Sequence, residues 1–256
     1  MSEQSQILKW YKDAGIDVVT GQKPSSMLGV QKPAAPIARA ISPVTNSFSQ
    51  NQTNSILSNN SAEIAAQCNT LTELEQAVRG FQGCLLKKTA INTVFADGNP
   101  KSQVMLVGEA PGADEDRQGK PFVGLSGQLL DNMFATIGLS RQENLYISNI
   151  IPWRPPGNRQ PSNIEVTTCL PFIKRHIELV KPKVLVFIGG VSAKALLGTN
   201  TGVTKIRGKW LDYQLPGLDS EIKAIAMYHP AYLLRSPGRK ATAWQDLLVI
   251  KRFLDA

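Results

Sequence analysis

Hydrophobic residues fall along this chain in two alternating rhythms. Short aliphatic runs occur at Val104–Val107, Leu145–Ile151, Val184–Ile188 and Ile222–Met227. They are too continuous for half-exposed strands, so each reads as a strand buried on both faces. Between them lie segments with apolar residues at helical spacing: Ser61–Phe81, Gly127–Ile137, Asn163–Val180, an Ala- and Leu-rich stretch after Gly189-Gly190, and Trp244–Phe253. In the third of these, Cys169, Phe172, His176 and Val180 share a stripe, and Gly138 gives the second a C-cap signal. Strands alternating with helices predict an α/β fold, a three-layer αβα sandwich around a central, mainly parallel four-stranded sheet.

Ahead of residue 61 the rhythm changes. Ile7, Leu8, Trp10, Tyr11, Ala14 and Ile16 fit one short amphipathic helix within residues 1–20, packed on the body or docking a protein partner. Residues 21–60 are dominated by Ser, Asn, Gln, Pro and Ala. Such a segment buries too little apolar surface to offset its ordering entropy and reads as a low-complexity linker. The predicted organisation is helix, linker, and one catalytic domain over 61–256.

Composition narrows the class. With 256 residues, 42% of them hydrophobic, the chain can bury a substantial core. It has no run of eighteen apolar residues, and Met1-Ser-Glu-Gln-Ser-Gln lacks the basic and apolar parts of a secretory signal. A cytoplasmic monomer without membrane contact is expected. Cys68, Cys84 and Cys169 are too few and too scattered for a disulfide framework. The net charge of +8 is compatible with a polyanionic partner.

Parallel strands bring their carboxyl ends to one edge, so the loops 109–116, 149–159, 189–192 and 229–240 should converge on one cleft. Glu109 follows a strand directly and is the first catalytic candidate, though the position also suits a helix N-terminus. Asn149 is either a turn residue or an amide that reads a polar edge. His229 precedes Pro230 and is either a turn histidine or a hydrogen-bond donor. Residues 229–240 carry three positive charges, Arg235, Arg239 and Lys240, and no negative one, which favours a phosphate backbone.

Four segments taken together form a signature: Gly108-Glu-Ala-Pro-Gly-Ala-Asp-Glu-Asp116, Gly119-Lys-Pro-Phe-Val-Gly124, Asn149 followed by Arg154-Pro-Pro-Gly-Asn-Arg159, and His229-Pro-Ala-Tyr-Leu-Leu-Arg235. In this order the chain resembles the uracil-DNA glycosylase superfamily, specifically its bacterial and archaeal family-four type, from about residue 62 onward. The resemblance implies a monofunctional glycosylase that flips uracil out of single- or double-stranded DNA and hydrolyses its N-glycosidic bond. It implies a stacking role for Phe122 and recognition of the pyrimidine edge by Asn149. His229 would donate to O2 of the departing base, and Glu109 would position water or stabilise the sugar cation. Leu233 and Leu234 would wedge into the vacated stack, with Arg235, Arg239, Lys240, Arg159 and Ser192 on the DNA.

The chain departs from the family where an iron–sulfur cluster should sit. Of four expected cysteine positions, Phe81 and Trp153 occupy two, leaving Cys84 and Cys169. A four-iron cluster needs four thiolates, so no cofactor or metal is expected, and these two cysteines should be buried small hydrophobes. Asp116-Arg-Gln-Gly-Lys-Pro-Phe122 runs without the inserted basic loop of a covalently trapping branch. The alternative is a module that binds abasic or damaged DNA with weak turnover, for which Glu109 would have no use. A small-molecule α/β enzyme would leave the basic 229–240 segment unexplained.

Overall fold

The computed structural model describes residues 60–256. The expected N-terminal helix and linker lie outside the described residues, apart from Asn60, which is already helical. The fold is α/β with a central sheet between helical layers. Its strands are β1 (Ala96–Gly98), β2 (Val104–Gly108), β3 (Leu145–Asn149), β4 (Val184–Ile188), β5 (Trp210–Tyr213) and β6 (Ile222–Met227), in the order β1-β3-β2-β4-β6-β5. The inner four are parallel, and β1 and β5 join antiparallel at the two edges. The four-stranded expectation is therefore corrected to six. Both added strands are short and partly exposed, so neither carries the continuous aliphatic run that marks a central strand.

The inner strands are buried on both faces, as their sequences require. Met105, Val107, Leu185, Phe187, Ala224 and Ala226 face one core, while Leu106, Ile147, Val186, Ile188, Ile225 and Met227 face the other. Burying each large side chain contributes about 1.5–3 kcal/mol. The first core is covered by α1 (Leu71–Gly80), α4 (Asn163–Val180) and α5 (Gly190–Leu197). The second is covered by α3 (Leu125–Ala135), α7 (Pro230–Arg235) and α8 (Lys240–Leu254). Short α2 (Ala113–Gln118) and α6 (Val203–Ile206) lie in connections.

The single helix expected over Ser61–Phe81 is two helical segments. The first ends at residue 67, and Thr70 then starts α1 as its N-cap, accepting the Glu73 N–H at 3.1 Å. Helix α4 matches its predicted span; Ser162 and Glu165 form a reciprocal capping box at its start. No helix among the described residues is long and apolar enough to cross a membrane.

Candidate active site

The carboxyl ends of β2, β3 and β6 open into one cleft of about 590 Å³. It lies where the chain reverses direction across the sheet, with β3 on one side of β2 and β4 on the other. Glu109, Phe122, Asn149, Arg159, His229 and Arg235 all line it, although they come from four separate segments.

The acidic loop after β2 divides its carboxylates between structure and cleft. Asp116 is buried and accepts the backbone N–H groups of Ile91 and Asn92 at 2.8 and 3.0 Å. Glu115 accepts three backbone N–H groups, from Gly112 (3.0 Å), Val123 and Gly124 (both 2.9 Å), and so ties the start of α2 to the segment that presents Phe122. Asp114 pairs with Arg117 on the surface at 2.6 Å. Asp114 and Glu115 line the cleft together with Glu109, and burial raises the Glu109 carboxyl above the ordinary range.

Asn149, the last residue of β3, is buried, and neither Oδ1 nor Nδ2 has a hydrogen-bond partner in the protein. An orphaned buried amide costs about 1–3 kcal/mol per group, and native structures keep such groups chiefly where a ligand completes them. Gly108 makes room for it. A Cβ there would stand 2.3 Å from Asn149 Oδ1 and 2.6 Å from the Phe122 ring. Phe122 sits at φ 54°, a left-handed conformation that costs a bulky residue about 1–3 kcal/mol. Its ring centroid is 5.6 Å from that of His229.

His229 is the N-cap of α7. The Ala231 N–H donates to His229 Nδ1 at 3.1 Å, so in the neutral ring Nε2 carries the proton. Burial, with a smaller push from Arg235, lowers its pKa to about 4. The ring is therefore a neutral donor near neutral pH. Gly189 leaves space for it, since a Cβ there would come within 3.1 Å of His229 Cβ.

Three expected DNA contacts are corrected by burial. Leu233 is fully buried in the second core, because its face of α7 turns toward the sheet; Leu234, the next residue, is 42% exposed. Ser192 is fully buried on α5, its hydroxyl donating to the Gly189 carbonyl at 3.2 Å. Lys240 is buried at the first turn of α8, and burial draws its ammonium down. Arg235 and Arg239 are exposed. Arg159 lines the cleft while paired with Glu165 through two bonds of 2.6 and 2.8 Å. Lys120 of the second motif pairs with Asp97 at 3.4 Å and is not among the cleft residues.

The four positions of the family's cluster do meet in space. Phe81 and Trp153 stack with centroids 6.4 Å apart, Phe172 packs edge-on to Phe81, and all three are buried. Cys84 and Cys169 are both buried in the first core, where the neighbouring Cys84 thiol and burial push the Cys169 thiol well up. Two thiols among aromatic rings do not fit a four-iron cluster, and no group of three or more candidate ligands occurs among the described residues.

Several site residues escaped the sequence reading. Glu115 and Arg141 act on backbone groups distant in sequence, and Leu125, 73% exposed on the cleft wall, is an ordinary helix residue by pattern. Gly108 and Gly127 were visible as glycines, but what they make room for was not.

An α/β sheet with a buried, unsatisfied amide, a neutral imidazole donor and an aromatic ring at one crevice has the chemistry to receive a planar polar ring. The comparisons give the family. Residues 95–248 match the model of the uracil DNA glycosylase superfamily, and the chain belongs to that superfamily. It is 37% identical over 187 residues to a type-4 uracil-DNA glycosylase of Sulfurisphaera tokodaii, covering 71% of this chain and 84% of that one. Against the type-4 enzyme of Archaeoglobus fulgidus it is 38% identical over 172 residues, 66% and 85% of the two chains. A type-5 enzyme of Pyrobaculum aerophilum is less similar, 29% over 159 residues, 56% and 67% of the two.

Proposed function

We propose that this chain is a monofunctional uracil-DNA glycosylase that hydrolyses the N-glycosidic bond of uracil in DNA and leaves an abasic site for base excision repair. The observation that carries this reading is the orphaned amide of Asn149 facing the same cleft as His229 and Phe122. Uracil presents an N3–H donor beside an O4 acceptor, which matches Oδ1 and Nδ2 of Asn149. Cytosine presents the reverse pattern, and mispaired groups in a buried site are strongly rejected. His229 Nε2–H donates to O2 and stabilises the negative charge that grows on the departing base. Phe122 stacks on the base face. Glu109, ionised, positions the water that attacks C1′ and offsets the positive charge developing on the sugar.

Around the pocket, Leu234 enters the vacated stack, and Arg235, Arg239 and Arg159 hold the backbone phosphates. The enzyme acts in the cytoplasm as a monomer, on single- or double-stranded DNA, and without an iron–sulfur cluster. Phe81, Trp153 and Phe172 supply by packing the rigidity that a cluster would lend to this part of the fold.

The test is one assay with two readouts. The anaerobically purified chain is analysed for iron, then incubated with end-labelled uracil-containing DNA, with and without alkali. Strand breaks that appear only after alkali, from protein lacking stoichiometric iron and abolished by Glu109→Gln, are expected. Breaks without alkali would overturn the monofunctional reading, stoichiometric iron the cluster-free one, and no breaks at all the assignment of activity.

A further inference from the structure

The stacking ring of the cleft rests on an improbable piece of backbone. Phe122 has φ 54°, and its carbonyl lies 1.8 Å from where a Cβ on Gly127 would be, so the chain doubles back tightly at this point. A bulky residue keeps a left-handed conformation only where its surroundings over-determine it. Gly127 permits the fold-back, but permission does not hold it there.

Glu115 holds the following N–H groups, and the group that holds the Phe122 carbonyl itself is Arg141, in the loop between α3 and β3 and outside the cleft lining. Its guanidinium donates to two successive carbonyls, Pro121 at 2.6 Å and Phe122. Behind it, Asp131 meets Nε at 2.8 Å and Asp97 meets Nη1 at 3.0 Å. The side chain is 10% exposed. Two carboxylates thus fix the cation, and the rigid fork directs two further donors to the two peptide planes that aim the ring. A lysine could supply the charge but not span both carbonyls and both carboxylates.

We propose that Arg141 is a positioning residue for base recognition: it sets the pose of Phe122 and, through that ring, the grip of the cleft on the flipped uracil. This rests on the stacking role of Phe122 given above. Arg141 is not among the cleft residues, so its effect on the base is expected to pass through the Phe122 segment that it holds.

A double-mutant cycle on the full chain tests this. Arg141→Lys, Phe122→Ala and the double variant are compared with wild type in excision of uracil from single-stranded DNA and in inhibition by free uracil, which probes the pocket without DNA. Melting curves establish that each is folded at the assay temperature. Arg141→Lys is expected to weaken uracil inhibition and excision efficiency about tenfold, Phe122→Ala at least as much, and the double variant no more than Phe122→Ala within about twofold. Multiplying effects would show that Arg141 acts by another route and overturn the proposal, as would wild-type behaviour of Arg141→Lys. Wild-type behaviour of Phe122→Ala would remove the stacking role itself, and the proposal with it. Should Arg141→Lys not fold, Asp131→Asn removes one anchor of the same guanidinium and must give the same pattern at smaller amplitude; independence from Phe122 there would equally overturn it.

Discussion

Recognition in this cleft depends on single atoms at fixed places, and the smallest residue involved is among the most exposed to test. Gly108 has no side chain, yet Asn149 Oδ1 and the Phe122 ring occupy the space one would need. Gly108→Ala should therefore displace both pocket walls at once. Overpacking of this kind costs about 1–3 kcal/mol of stability, which the fold can absorb, whereas a misplaced amide loses its pairing with the base. Single-turnover excision should fall by about 100-fold or more with only a modest drop in melting temperature. Gly80→Ala is the control, because a Cβ there meets nothing within 4 Å, and it should leave both measurements near wild type. A Gly108→Ala enzyme that excised uracil at the normal rate would show that Asn149 and Phe122 need not hold their present separation. Glu109, Asn149 and His229 were legible because they fall in short motifs at strand ends, and Phe122 because it belongs to a short motif between α2 and α3. Glu115 and Arg141 were not, since their partners are backbone groups whose proximity exists only after folding.

At the scale of elements, α7 carries adjacent leucines with opposite fates. Adjacent helix positions point about 100° apart, so a helix lying on a sheet buries one and exposes the next. Leu233 is in the core beside the sheet, and Leu234 stands on the outer side. The sequence offered both as wedges because six residues are too few to show a hydrophobic stripe; Ser192 and Lys240 lie on longer helices, and their burial was hidden because polar residue types are ordinarily exposed. Central strands and α4 were legible because their patterns are long and self-consistent, while β1 and β5, of three and four residues, carry no such pattern. The two leucines now separate experimentally. Leu233→Ala should cost about 2–5 kcal/mol in denaturant unfolding. Leu234→Ala should leave stability within about 0.5 kcal/mol. Yet it should slow excision from a U:A duplex several-fold more than from single strands, where little unstacking has to be met. Equal impairment of Leu234→Ala on both substrates would remove it from the wedge role.

For the whole molecule, one of the chain's two histidines, His176, is buried in the folded state and the other, His229, is partly buried, and this couples acidity to stability. His176 stacks on Phe95 at 4.4 Å and meets the Tyr146 hydroxyl at 3.0 Å, and burial lowers its pKa to about 3; His229 is lowered to about 4. Their ordinary value is 6.5. Below that pH the unfolded chain takes up protons that the folded one refuses, so stability is full above pH 6.5 and is lost as pH falls toward 4 and 3. Each histidine costs about 1.4 kcal/mol per pH unit within its window. Asp246 works in the opposite direction: burial raises it to about 6, so the folded state binds its proton first, and acidification below pH 6 offsets part of the loss. The difference between two proteins isolates one histidine from that background. In urea unfolding between pH 6 and pH 5, His176→Gln should lose less stability than wild type by about 1.4 kcal/mol, although it starts lower because the Tyr146 hydroxyl loses its imidazole partner. The same variant should keep wild-type base selectivity, since His176 is not among the cleft residues. Parallel pH profiles for the two proteins would mean that His176 takes up a proton as readily folded as unfolded, and the sealed, apolar setting assigned to that side of the sheet would be wrong.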